Sequence, residues 1–288
     1  SSGRVGIGTT DPIALLHVKS DDGLLLEGTY GLGSAISFAG NRLLWTPRNC
    51  HFYSGDSPGF GAPGNYTFGT GYRSLCVGDY SFVMGKECRA NGEAAFAGGL
   101  QTYGHGPYSF AFGYASEVSS TSTAGVAIGR DARVYYDGGI ALGYHPRSTG
   151  LHAVAIGFQT EATQPHAFGL GYRARSWHAG SFVYGDQSTA SYVYSTADNQ
   201  FLVRAAGGTI FYTNAAVTSG VQLVPGGGAW ATLSDSTKKE NIRQVDADAV
   251  LAGLEELEVS TWNYKSQDDA VSHMGPMAQD FHAAFGLG

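Results

Sequence analysis

Charge is scarce in this 288-residue sequence: 14% of residues are charged and the formal net charge is −7. So sparse and mildly acidic a surface offers no electrostatic footprint for nucleic acid or for an anionic membrane. Cysteine is nearly absent. Cys50, Cys76 and Cys88 are odd in number and lack C-x-x-C spacing, which excludes a disulfide framework and a zinc site; they read as small buried residues. No apolar run is long enough for a bilayer-spanning helix, so membrane insertion is not expected. Proline is limited to 9 residues, and no Gly-X-Y triplet persists, so a collagen-like helix is excluded. Ser1-Ser2-Gly3 supplies no initiator Met, basic n-region or apolar h-region. An exporting or anchoring segment is therefore expected upstream.

What is abundant is glycine, with 43 residues, beside 12% aromatic and 43% apolar residues. That mixture argues against disorder and for a β architecture with many tight bends. Self-similarity decides which one. Pentads ending in glycine recur as TFGTG (67–71), SFVMG (81–85), AFAGG (95–99), SFAFG (109–113), GVAIG (125–129), GIALG (139–143), AVAIG (153–157), AFGLG (167–171) and SFVYG (181–185). Their glycines are fourteen residues apart except for one step of sixteen, where Ser119–Thr123 accommodates a longer turn. Within a pentad the second residue is bulky (Phe68, Phe82, Phe96, Phe110, Val126, Ile140, Val154, Phe168, Phe182), as the fourth usually is. The first and third are mostly small. This is the period-2 pattern of a strand. Small residues three after most glycines (Ser74, Thr102, Ser116, Ala132, Thr160, Ala174, Ser188) suit a second short strand. Two short strands and a glycine bend per turn describe a narrow coil. Rungs about 4.8 Å apart make nine of them a rod segment of roughly 40 Å.

The small face fills only a slim interior, and the Phe/Val/Ile face is too apolar for water, so both need burial. One lines the coil and the other meets neighbouring chains; the pattern leaves open which is which. A solenoid with an apolar outer stripe closes most simply as a cyclic oligomer. Residues 67–190 resemble the head repeats of YadA-type trimeric adhesins, best at Gly125-Val126-Ala127-Ile128-Gly129 and Ala153-Val154-Ala155-Ile156-Gly157. The resemblance implies a left-handed parallel β-roll and a homotrimer.

The flanks are less regular. Residues 1–66 read as an irregular entry region; within them GRVGIGTTDPIALLHV (3–18) is similar to segments that begin distal modules of phage tail fibres and bacterial surface proteins. Residues 191–233 give short alternating strands broken by Gly207-Gly208 and Pro225-Gly226-Gly227-Gly228, and read as a β-rich neck. The expected fold is thus mainly β: a roll over 67–190, the neck, and a small α-containing C-terminal domain over 234–288.

That last segment carries the only chemical motif. Ser234-Asp235-Ser236-Thr237-Lys238-Lys239-Glu240-Asn241-Ile242, Trp262-Asn263-Tyr264 and His273-Met274-Gly275-Pro276-Met277-Ala278-Gln279-Asp280-Phe281 follow in order. Together they resemble the intramolecular chaperone of endosialidase tailspikes and related fibres. The resemblance implies that the segment drives trimerisation and then cuts itself off with a Ser–Lys pair. Its S-D-x-x-x-K core falls on Ser234, Asp235 and Lys239, with cleavage between Leu233 and Ser234. Lysine can serve as the base for a serine when desolvation lowers its pKa. Ser234 would attack the preceding carbonyl, and water would then hydrolyse the ester. Asp235 orients Lys239 or assists the leaving amine; Lys238 is the competing base. Asp246 suits the N-cap of a helix bearing Val250, Leu251, Leu254 and Leu257, and Pro276 the first turn of another bearing Met277, Phe281 and Phe285. The family's further helical stretch is missing after Gly286-Leu287-Gly288, so the chaperone is expected to be incomplete here. His273 reads as a packing residue. No His/Cys/Asp/Glu spacing suggests a metal, and no cofactor is expected; His152 and His166, one rung apart, read as incidental.

The residue after each repeat glycine is often aromatic. Tyr144, Phe158 and Tyr172 are expected to form a ladder that packs between rungs or contacts a receptor glycan, with Tyr114 a further candidate receptor-binding residue. The sequence therefore reads as the distal part of an extracellular trimeric fibre that binds a cell-surface glycan or receptor. Its setting is a phage tail, an injection-system particle or a bacterial surface. The alternative is a glycan-degrading tailspike enzyme, for which residues 1–233 show no recognisable pair of carboxylates.

Overall fold

The computed structural model describes residues 5–7, 9–14, 16–18, 40–57, 63–233 and 239–287. The chain divides into two compact units, Ser1–Thr209 with Val224–Gly228, and Ile210–Leu223 with Ala229–Gly288.

The first unit is a parallel β-solenoid. Each coil gives a long strand to a twelve-stranded sheet and a short one to a nine-stranded sheet. Long strands such as Phe96–Leu100, Phe110–Tyr114 and Val126–Arg130 pair in register, so that Phe110 faces Phe96 and Val126, and Gly113 faces Gly99 and Gly129. The ladder runs past the nine pentads at both ends. His51–Ser57 pairs in parallel with Phe68–Tyr72, aligning Phe52 with Phe68 and Gly55 with Gly71. Residues 51–55 are therefore a further pentad, hidden in the sequence because His51 and Tyr53 occupy positions held elsewhere by small residues. Part of the region expected to be irregular is in fact the first rung, joined by the antiparallel strand Gly40–Thr46. At the other end Phe201–Arg204 adds to Phe182–Gly185, with Arg204 where the glycine should be.

Burial settles which face is inside. The first and third pentad positions line the coil: Ala97, Ala111, Ala127, Ala141 and Ala155 are fully buried. Volumes compensate across the interior. Where the short strands carry Val118 and Val134, the facing pentads begin with Gly125 and Gly139; a Cβ there would lie 2.8 and 2.7 Å from a valine Cγ1. Ser74, Thr102, Ser116, Ala132, Thr160 and Ala174 are buried, and the second short strand expected at them begins one residue later in every case but Ala174; Ser188 is exposed in a longer final turn. Cys76 and Cys88 are buried, and burial pushes the Cys76 thiol up to about 12, leaving it inert. Cys50 is only half-buried.

The bulky second and fourth positions point outward. Their second-position column stacks ring on ring, with centroids 5.1 Å apart for Phe52–Phe68, 5.0 Å for Phe68–Phe82, 5.2 Å for Phe82–Phe96 and 4.5 Å for Phe96–Phe110. Val126, Ile140 and Val154 continue it to Phe168, Phe182 and Phe201. A second column (Met84, Phe112, Ile128, Leu142, Ile156, Leu170) runs beside it.

The second unit contains a three-stranded sheet, helix α1 (Ala247–Glu255), a hairpin of Ser260–Trp262 with His273–Gly275, and helix α2 (Ala278–Phe285). Asp246 caps α1 by accepting from the amides of Asp248 and Ala249, as expected. The helix ends before Leu257. Met277, expected within α2, is its N-cap, and Pro276 precedes it. Among the described residues no helix is long and apolar enough to cross a membrane.

The first coil stores a pH dependence. His51 is 5% exposed, its Nδ1 lies 2.6 Å from Thr67 Oγ1, and burial lowers its pKa from 6.5 to about 4. The unfolded chain takes up this proton and the folded coil resists it, so stability is full above pH 6.5 and declines as pH falls toward 4. The full contribution is roughly 3 kcal/mol. Urea denaturation at pH 7 and pH 4.5 should show this loss in the unmodified chain, and much less of it in His51→Gln.

Candidate functional site

Two regions carry the residues singled out from sequence. In the solenoid, the position after the repeat glycine aligns from coil to coil, so Tyr114, Arg130, Tyr144, Phe158 and Tyr172 are successive register partners. Tyr144 and Phe158 stack at 4.9 Å with planes 6° apart, and Phe158 and Tyr172 at 5.0 Å and 8°. Arg130 fills the gap between Tyr114 and Tyr144, its guanidinium 5.4 and 5.3 Å from the two ring centroids. A planar cation thus takes the place of a ring. The three residues expected in a ladder stack in this column, and Tyr114 joins it through Arg130. Arg130 was missed as its fifth member because it matches the register but not the residue type. Both faces of Phe158 are covered by its neighbours, so a ligand meets that ring only at its edge.

The next residue in each coil has a left-handed backbone, as at Asp131 (φ 51°), His145 (φ 52°), Gln159 (φ 52°) and Arg173 (φ 53°). The strain is offset by an amide bond to the preceding rung, for example from Gln159 N–H to the Tyr144 carbonyl at 2.8 Å. Their side chains also link along the rod. Arg173 Nε donates to Gln159 Oε1 at 2.9 Å, and Arg130 and His145 approach Asp131 at 3.6 and 3.5 Å.

In the second unit, Ser234, Asp235 and Lys238 lie outside the described residues, and Lys239 is exposed. Leu233, the residue before the expected cut, is half-buried and donates its N–H to the Gly220 carbonyl at 3.0 Å. The carbonyl at the expected cut therefore belongs to a residue tied to the sheet. His273 stacks on Trp262 at 4.7 Å, and its Nε2 lies 2.9 Å from Gln267 Oε1, which makes it a packing residue of the hairpin. Gly253 leaves room for Phe285: a Cβ there would lie 2.7 Å from the ring. His152 and His166 approach at 5.5 Å, but no group of three or more His, Cys, Asp or Glu able to hold a metal occurs among the described residues.

The class these units define is a parallel β-solenoid followed by a small α-containing unit. Residues 234–286 match the family model of the chaperone of endosialidase, and the match falls wholly within the second unit. No curated protein matches the chain.

The column's stability can be tested at its centre. Phe158→Ser removes two stacking contacts at once and should cost about 2–3 kcal/mol. Chemical denaturation compared with Phe158→Tyr, which preserves the stack and should change little, checks it.

Proposed function

We propose that this chain is the distal part of a homotrimeric extracellular fibre, assembled by its C-terminal chaperone segment and presented to a cell-surface receptor or glycan. The observation that carries the reading is the outer face of the twelve-stranded sheet. Its second-position apolar column runs the length of the solenoid, the fourth-position column is apolar from Phe112 onward, and in the single chain Phe68, Phe110 and Phe112 remain 40%, 38% and 41% exposed. A contiguous apolar stripe of this extent is what solenoids bury against copies of themselves. The pentads' resemblance to trimeric adhesin heads points the same way, as does the similarity of residues 234–286 to a fibre chaperone. The corner column of Tyr114, Tyr144, Phe158 and Tyr172 is one surface such a fibre could offer a receptor, through ring edges and hydroxyls.

In the same reading the chaperone segment releases itself by single-turnover proteolysis. Lys239 takes the proton of Ser234, whose oxygen attacks the Leu233 carbonyl. The Leu233–Ser234 peptide bond breaks as the Ser234 nitrogen accepts a proton, with Asp235 assisting. Water then hydrolyses the Leu233 ester. The hydrogen bond holding Leu233 to Gly220 supports this by fixing the acyl side. A tailspike enzyme acting on glycans remains the alternative, and no observation in the solenoid favours it.

Native mass spectrometry of the unmodified chain should show a trimer, and Phe110→Asp with Ile140→Asp should abolish it by placing charge in a dry seam. A monomer for the unmodified chain would end the fibre reading. Separately, expression with a complete chaperone should yield a cut before Ser234. Ser234→Ala and Lys239→Ala should stop it, Lys238→Ala should matter little, and trimers should persist in all three. Cleavage undiminished in Ser234→Ala would remove the mechanism.

A further inference from the structure

The fourteen-residue period fails once near the end of the solenoid. Gly185 aligns with Arg204, and Ala174 and Arg175 align with Val193 and Tyr194, so the last coil carries extra residues between its two strands. They are clamped rather than left loose. Arg173 Nη1 donates to the Ala190 carbonyl, Arg204 Nη1 donates to the Ser191 carbonyl at 2.7 Å, and Asp186 pairs with Arg204 at 3.0 Å. The result is to lay Tyr192 over the Arg175 guanidinium, 3.5 Å from the ring centroid.

Arg175 is the centre of a cluster on the outer face of the nine-stranded sheet. Its Nη2 lies 3.3 Å from Glu161 Oε1, and Glu161 Oε2 accepts from the Trp177 indole N–H at 3.1 Å. Trp177 meets Tyr194 edge-on at 4.8 Å. That face is mostly charged: along the register of Arg175 lie Arg89, Glu117, Arg133, Arg147 and Glu161, with Tyr103 between Arg89 and Glu117. On a face built for water, Trp177 and Tyr194 are 41% and 38% exposed. The charged pair beneath them is the opposite, with Arg175 and Glu161 side chains only 19% and 20% exposed. Exposed rings over a fixed, hydrogen-bonded ion pair are unlike the corner column, whose rings cover one another.

We propose that Trp177, Tyr194, Arg175 and Glu161 form a binding site for an uncharged pyranose unit of a glycan. The apolar C–H face of a pyranose matches an exposed indole or phenol ring, and its hydroxyls match a carboxylate and guanidinium held at the rim. Arg175 and Glu161 neutralise each other, so the site offers no net charge to a uronic or sialic acid. Tyr192 and the clamped turn hold Arg175 in place before a ligand arrives, which lowers the ordering cost of binding. The site deepens the fibre reading and rests on it in one respect: the face opposite the apolar columns is taken to point outward in the assembly.

The test applies the full chain to an array of neutral, uronic-acid and sialylated oligosaccharides, with affinities measured by tryptophan fluorescence. At least one neutral pyranoside should bind. Trp177→Ala should weaken it by about tenfold or more at unchanged melting temperature, as expected for a central aromatic anchor, and Trp177→Phe should retain most of the binding. Glu161→Gln unpairs Arg175 and should shift preference toward acidic sugars; it carries the test if Trp177→Ala does not fold. A folded unmodified chain that binds no neutral glycan, or a Trp177→Ala variant that binds as well as its parent, overturns the site. So does binding lost in a Tyr144/Phe158/Tyr172→Ser triple variant but kept in Trp177→Ala; that outcome leaves the fibre reading standing. A monomer in native mass spectrometry removes the fibre reading, while the array still decides the site.

Discussion

The close approach of successive rungs at the repeat glycine is the constraint on which the rest of the solenoid depends. At Gly113, φ is 124°, and a Cβ there would stand 2.0 Å from the Gly129 carbonyl oxygen, which is backbone and cannot move aside. The coils from Gly55 to Gly171 repeat this contact, so glycine is required at one register position wherever a regular rung follows. The corner it makes delivers the second residue after it, Ala115 here (φ 53°), into a strained left-handed conformation and aims that amide at the Leu100 carbonyl of the rung before. Because the corner is fixed, every other position of the coil is fixed relative to it. Residues fourteen apart then stand directly over one another as columns, and the composition of each column decides what that side of the rod can do.

Each column meets a different physical demand. The interior is too narrow for two large side chains, so Val118 and Val134 are matched by glycine across the coil, and alanine or serine serves elsewhere. Among the described residues nothing buries the outer apolar columns fully, and Phe68, Phe110 and Phe112 stay exposed. Stacking each ring on the next covers its faces but not its edges, and the accumulated exposed area grows with every rung added. In the proposed trimer that area closes against copies of the chain, so the repetition that lengthens the roll also enlarges the face offered to them. Under the same proposal, the C-terminal segment would bring identical repeats into one register before their faces close.

Much of this was legible from sequence because the glycine spacing encodes the coil and the 2-residue alternation encodes the faces. The inside–outside assignment was not, because small and bulky positions alternate equally well either way; only the volume of the coil decides. The end rungs were hidden for the opposite reason. The first keeps Phe52 and Gly55 but places His51 and Tyr53 inside, and the last replaces glycine by Arg204, so both escape a pattern built on small residues. Arg130 escaped the aromatic column because a guanidinium stacks as a ring does without being one. In the C-terminal segment the motif was legible from three ordered blocks, whereas a dyad of Ser234 with Lys239 is a matter of convergence in space that spacing alone does not fix.

Both irregular rungs solve one problem, which is that a solenoid leaves an open sheet edge and an open interior at each end. At the start, Tyr53 fills the bore and its hydroxyl donates to the Asp56 and Gly71 carbonyls at 2.9 and 3.1 Å, while an antiparallel strand covers the edge. Gly69 yields the space, since a Cβ there would lie 2.6 Å from the Tyr53 ring. At the finish, Arg204 and Asp186 gather backbone groups that no further rung will satisfy. Asp186 accepts from the Ala206 amide, and that bond, with Ser188 and Arg204, holds its carboxyl down at about 2. The extra residues that make this cap are also those that set Tyr192 on Arg175. Termination of the repeat and the most individual surface of the rod are therefore one structural event: where the column rule is suspended, side chains of different kinds can meet at one point, and a specific ligand needs such a meeting.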